Sequence, residues 1–144
     1  TDRPKMGKKP DQFKEPRYPE VEVDTERLQA MVDQLKQRQR EDGGWAQTDD
    51  MESDAYATGI TMAALLMAQP ELAHEKWYFR GVKYLLETQK KDGSWLVLTR
   101  SKPIQEYFES DFPHGEDQFI SISASCWSVI ALSQYIDVYT NPRK

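Results

Sequence analysis

The densest group of carboxylates in the chain is Asp49-Asp50-Met51-Glu52-Ser53-Asp54. Clustered carboxylates suit a hard cation such as Mg²⁺, which could in turn hold a diphosphate. The same residues also suit a solvated loop, with Ser53 or Asp54 capping the helix that follows. The gap from the aspartate pair to Asp54 is one residue longer than an Asp-Asp-x-x-Asp pattern requires, which favours the loop and cap. A zinc site would need cysteine, histidine and carboxylate at short mutual spacing. Cys126, His74 and His114 are the one cysteine and both histidines, and no two of them stand at ligand spacing. No metal is expected. Cys126, mid-helix beside Trp127, reads as a buried inert thiol.

The stretch from Ser101 to Gln118 is the most distinctive outside the repeats, with Tyr107, Phe108, Asp111, Phe112 and His114. Its rings and imidazole could line a pocket mouth or meet a partner. They could equally tuck into the core, with His114 at a turn. The histidines stand in no nucleophile pattern. No Cys-x-x-Cys-His attaches a haem, and no Gly-rich loop cradles phosphate. No catalytic residue and no cofactor is expected.

Two copies of one pattern run through the chain, fifty positions apart. Leu35, Gln39, Asp42, Gly43 and Trp45 recur as Leu85, Gln89, Asp92, Gly93 and Trp95. A repeat at this period is one supersecondary unit used twice, each needing a neighbour to cover its apolar face.

Four helices must position these residues. The first starts near Asp24 and Thr25, with Asp24 as N-cap and Leu28, Met31, Val32 and Leu35 at helical spacing. Gly43-Gly44 ends it. The second runs from about Asp54 to Gln69 before Pro70 and is apolar nearly all round, as an inner helix is. The third spans roughly His74 to Lys90, with Tyr78, Val82, Leu85 and Leu86 on one stripe. The fourth runs from about Gln118 to Val138; Ile120, Ala124, Trp127, Ala131 and Tyr135 form one face, and apolar residues elsewhere make it look inner too. The order is outer, inner, outer, inner: two αα-hairpins, each turning at an Asp-Gly-x-Trp loop. The second connection is longer, with its surplus within 96 to 117.

Residues 1–23 read as an extended Pro- and charge-rich arm, holding half of the chain's eight prolines. Such a stretch cannot bury enough apolar surface to fold alone. Residues 24–144 read as the helical domain. A net charge of −5 argues against nucleic-acid binding. One cysteine forms no internal disulfide and leaves the compartment open. No secretory or transit segment is read, and the chain begins with Thr1, which leaves open a processed form or a fragment. Ala55–Ala68, the longest weakly polar run, is too short to span a bilayer, so no transmembrane segment is expected.

The segment Arg80-Gly81-Val82-Lys83-Tyr84-Leu85 through Gln89, Asp92, Gly93 and Trp95 closely resembles the QW repeat of the squalene and oxidosqualene cyclases. The same αα-toroid superfamily includes the β subunits of protein prenyltransferases. The first copy lacks the Arg-Gly start. The resemblance implies an all-α fold, an incomplete αα-toroid of two hairpins. It implies that Gln39 and Gln89 end the outer helices and bond backbone at the start of an inner helix, with Trp45 and Trp95 stacked near them. Both roles are structural. The Asp-x-Asp-Asp acid of squalene–hopene cyclases does not occur, and the zinc ligands of the prenyltransferases are not found. The 101–118 stretch also resembles a loop of squalene-cyclase-like domains in large bacterial proteins, some secreted.

Two hairpins leave two open lateral faces, and solenoid ends need capping. The expected function is a non-catalytic interaction module, an accessory subunit or fragment of a larger bacterial assembly. Its expected partner is another protein chain or an oligomer covering the open faces. The alternative is an isoprenoid-binding or cyclase-like protein, with Tyr56, Trp127 and Tyr135 walling an apolar cavity. A soluble protein, secreted or periplasmic in a bacterium, is compatible with both.

Overall fold

A computed structural model of the protein describes residues 22–102, 104 and 106–141. Of the expected arm, residues 1–21 lie outside the described residues; Glu22 and Val23 are exposed and non-helical. All regular structure among the described residues is helical: α1 Thr25–Gln37, α2 Ala55–Ala68, α3 Lys76–Thr88 and α4 Gln118–Thr140. Short 3-10 turns occupy Pro70–His74 and Gly115–Asp117. This is the expected all-α order, a fragment of an αα-toroid.

Local chemistry sets the helix ends. The Asp24 carboxylate accepts the Arg27 N–H at 3.0 Å and starts α1. Asp54, rather than Ser53, caps α2 by accepting the Ala57 N–H at 2.8 Å. α1 ends at Gln37, earlier than Gly43 suggested, because the chain tightens into a turn closed by the Arg40 N–H on Gly44 O at 3.0 Å. Pro70 stops α2 from continuing and opens the first 3-10 turn.

α2 is the innermost element. Met62, Ala63, Leu65 and Leu66 are all buried, so its lack of one apolar face reflects neighbours on every side. α4 crosses it closely at Gly59, where a Cβ would lie 2.8 Å from Ser128 N. Only glycine permits that approach, and the burial it allows offsets a helical cost of about 0.5–1 kcal/mol. α3 lays Tyr78, Val82 and Leu85 on the core, while Leu86, expected on the same stripe, is exposed. Tyr78 donates to Met62 O at 3.0 Å, and burial pushes its hydroxyl pKa up.

α4 departs from expectation. Ala124 and Ala131 are fully buried, and Ile120, Trp127 and Tyr135 pack against the core, as predicted. The opposite side is bare: Phe119, Val129, Ile130 and Ile136 are exposed. Cys126 is also exposed, which corrects its reading as a buried thiol. The reason is position in the stack, since α4 has α2 on one side and no described helix on the other. Ala55–Ala68 is not the longest apolar stretch, which corrects that part of the expectation. The helical stretch Gly115–Thr140 is long and apolar enough to cross a membrane, with only 22% of its apolar window buried in the chain.

Candidate functional site

Each repeat ends its outer helix in the same turn. Gln39 Nε2 donates to Gly43 O at 2.9 Å, and Gln89 Nε2 donates to Gly93 O at 2.9 Å. Asp42 accepts the Gly44 N–H at 2.9 Å, and Asp92 accepts the Ser94 N–H at 3.0 Å. Trp45 and Trp95 are buried, and their indole N–H groups reach Leu35 O at 2.7 Å and Leu85 O at 2.8 Å. Gly43 and Gly93 sit at φ of +89° and +87°, a conformation that favours glycine. These turns fix the geometry of both hairpins.

The expectation that the glutamines bond the start of an inner helix needs correction. Their amides close their own turns, and Gln39 also donates to Trp77 O in the following outer helix at 2.8 Å. The link to the inner helix comes instead from hydroxyls. Thr58 Oγ1 accepts the Trp45 N–H at 2.9 Å, and Ser125 Oγ accepts the Trp95 N–H at 3.0 Å. Sequence reasoning missed both hydroxyls, which differ in type and lie at unequal distances from their tryptophans.

The two turns differ in what lies against them. Arg80 donates from Nη2 to Gln39 Oε1 at 2.8 Å, so α3 clamps the first turn. A Cβ on Gly43 would lie 2.5 Å from Arg80 O. Gly81 lets α3 close over Met62 and Trp45, since a Cβ there would lie 2.7 Å from Met62 Sδ. The Arg-Gly that opens the second repeat therefore grips the first. Around Gly93, by contrast, no described atom lies within 4 Å of an added Cβ.

The long connection is pinned at its base by Gln118, which is fully buried. Its amide oxygen accepts the Ser110 N–H at 2.7 Å and the Ser110 hydroxyl. Its amide nitrogen donates to Tyr107 Oη at 2.8 Å and Gly115 O at 2.9 Å. Every hydrogen-bonding position of a buried amide is thus used. Tyr107 and Phe108 are exposed and Phe112 is half-buried, so they do not tuck into the core. Asp111 and His114 take left-handed backbone at the loop's bends. The hydrogen bond from Tyr107 to Glu109 lowers the carboxyl pKa and raises that of the phenol.

One contact joins this loop to the second turn. His114 Nε2 lies 2.7 Å from Ser94 Oγ, whose proton goes to Asp92 Oδ1 at 2.6 Å. That order places serine between acid and imidazole, with His114 as donor. A serine nucleophile needs the imidazole between the other two groups, free to take the proton. This cluster instead holds the turn. Hydrogen bonds from the Ser94 hydroxyl and N–H, with His114 nearby, keep the Asp92 carboxyl below the usual range.

The acidic loop is dispersed. Asp49 meets Arg38 at 2.7 Å, Asp50 accepts from Thr48, and Asp54 caps α2 and accepts from Gln47 at 2.7 Å. Among the described residues no three histidine, cysteine or acidic side chains converge on one point. An open groove of about 640 Å³ runs beside α2 and α4, lined by Leu66, Met67, Pro70, Glu71, His74, Gln134, Asp137, Val138 and Asn141. A smaller one of about 300 Å³ includes Tyr135 and Tyr139. Tyr56 and Trp127, expected in a cavity wall, line neither groove, and neither do Asp49 or Asp50.

The family model of the squalene-hopene cyclase C-terminal domain matches residues 17–136. No curated protein and no solved structure matches the chain. The chain belongs to the squalene-hopene cyclase C-terminal domain family.

Proposed function

We propose that this member of the squalene-hopene cyclase C-terminal domain family serves as a non-catalytic assembly module, packing its open helical face on another protein chain. The proposed setting is an accessory subunit or fragment of a larger, bacterial complex. The bare side of α4 carries this reading. Phe119, Cys126 and Ile130 lie one above another at helical spacing, flanked by Val129 and Ile136, and all are exposed. A contiguous apolar stripe of this kind marks an interaction surface. The doublet V129D/I130D tests it. The exchange changes exposed side chains, so the fold should persist by circular dichroism. Association with the partner in a native preparation should be lost. A doublet that still co-purifies in full with the same partner would refute the reading.

Family membership favours one second reading, an isoprenoid-binding or cyclase-like protein. The groove of about 640 Å³, with Leu66, Met67 and Val138 in its wall, is where an apolar chain would lie. Saturable quenching of tryptophan fluorescence by farnesol, weakened by M67D, would support it. Quenching that is linear in farnesol, or unchanged by M67D, would refute it.

A further inference from the structure

The two repeats can be laid on each other residue by residue. The turns register Gln39 with Gln89 and Gly43 with Gly93. The hydroxyls that accept the tryptophan N–H groups register Thr58 with Ser125. In that register Met62, Ala63 and Gly59 of α2 correspond to Val129, Ile130 and Cys126 of α4. The first three are buried: Met62 under Gly81, and Gly59 against Trp127 and Ser128. Their counterparts are exposed, Val129 by 54% and Ile130 by 41%. The surface that α2 uses to receive the second repeat is thus presented again by α4. The turn tells the same story. Gln39 is held by Arg80 and by Trp77 O, whereas Gln89 bonds only its own turn among the described residues.

We propose that the bare side of α4 and the Gln89–Gly93 turn receive a further helical repeat on a partner chain, whose outer helix carries Arg-Gly at the places of Arg80 and Gly81. This rests on the assembly reading above and names the partner's chemistry. Its arginine would donate to Gln89 Oε1, as Arg80 does to Gln39. Its glycine would let the helix close over Val129, as Gly81 closes over Met62. Trp95 is already buried within the chain, as Trp45 is, so the partner's glycine would meet Val129 rather than an open indole.

A second copy of this chain fits poorly. Its α1 offers Ala30 and Met31 at the two places, by the same register. Ala30 has no guanidinium, and Met31 brings a long side chain where, in the first interface, a Cβ alone would lie 2.7 Å from Met62 Sδ and 3.1 Å from the Trp45 ring. Both residues are exposed on α1, so they can be exchanged.

The test gives the chain the missing complement. A30R/M31G should make the full chain stack head to tail. Light scattering should report a mass at least twofold above one chain, at concentrations where wild type stays monomeric. Adding Q89A/V129D should restore the monomer. A30R/M31A is the second variant should A30R/M31G lose helicity, since its single Cβ would face Val129, which is shorter than the Met62 that Gly81 meets in the first interface. Folded variants that stay as monomeric as wild type would overturn the proposal. So would wild type stacking on itself through α4, lost in V129D, since the occupant would then be a second copy. If wild type keeps a partner on α4 while neither variant gains mass, the assembly reading survives and the Arg-Gly repeat does not.

Discussion

Gly43→Ala and Gly93→Ala form a matched pair that isolates how one repeat grips the next. Both residues close equivalent turns, with φ of +89° and +87°. A Cβ in left-handed backbone costs roughly 1–2 kcal/mol, and each variant bears that cost. Only the Gly43 variant meets a neighbour. Its Cβ would lie 2.5 Å from Arg80 O and 2.8 Å from Arg80 C, and backbone cannot swing aside as a side chain can. Overpacking of this kind adds about 1–3 kcal/mol. Gly43→Ala should therefore lose about 2–5 kcal/mol, and Gly93→Ala about 1–2 kcal/mol. Urea unfolding followed by circular dichroism measures both, with the midpoint shift read at unchanged slope. Equal losses would refute the reasoning, because they would mean that Arg80 does not press on the first turn. With the partner bound to the second turn, the Gly93 variant should become the costlier of the two for assembly.

Three further outcomes follow from the geometry. Trp95→Ala removes a fully buried indole and should cost about 3–5 kcal/mol in urea unfolding. Gln118→Ala strips the buried amide that pins the long loop and should cost about 2–4 kcal/mol, whereas Phe108→Ala, exposed on the same loop, should stay within about 0.5 kcal/mol. Asp92 has a folded pKa below its unfolded value, so its contribution is present above the unfolded pKa and fades as pH falls through the folded one. Ser94→Ala should raise the Asp92 pKa, read by carboxyl chemical shifts, and should shrink the share of stability lost in acid.

The repeat was legible because it reuses residues with narrow geometric jobs. A glycine at positive φ, a glutamine that closes a turn and a buried tryptophan tolerate few substitutes, so Gln39, Gly43 and Trp45 recur at fixed offsets. Helix positions were legible from caps and apolar spacing, as at Asp24 and Asp54. What lies across the repeat boundary was not. Arg80 and Gly81 belong to the second copy in sequence but do their work on the first, which no pattern within one copy reveals. Gln118 carries no sequence mark, since a glutamine at a helix start is ordinary until a loop closes on it. Cys126 was misplaced for a related reason. Apolar residues all round α2 and α4 look alike in sequence, yet among the described residues α2 has neighbours on both sides and α4 on one side only. Density of charge is the one feature of the acidic loop that suits Mg²⁺. Folding sends Asp49, Asp50 and Asp54 to separate partners.

Cys126 offers the most direct measurement of the central claim, that the outward side of α4 is covered in the working assembly. It is the one cysteine of the chain and lies exposed on the bare stripe. Its alkylation rate by iodoacetamide should be followed at one pH, so that the thiolate fraction is held constant. The isolated chain should react readily, while the chain in its native preparation should be protected at least tenfold and regain the fast rate once the partner is dissociated. Equal rates in the two states, with the partner still attached, would contradict the account.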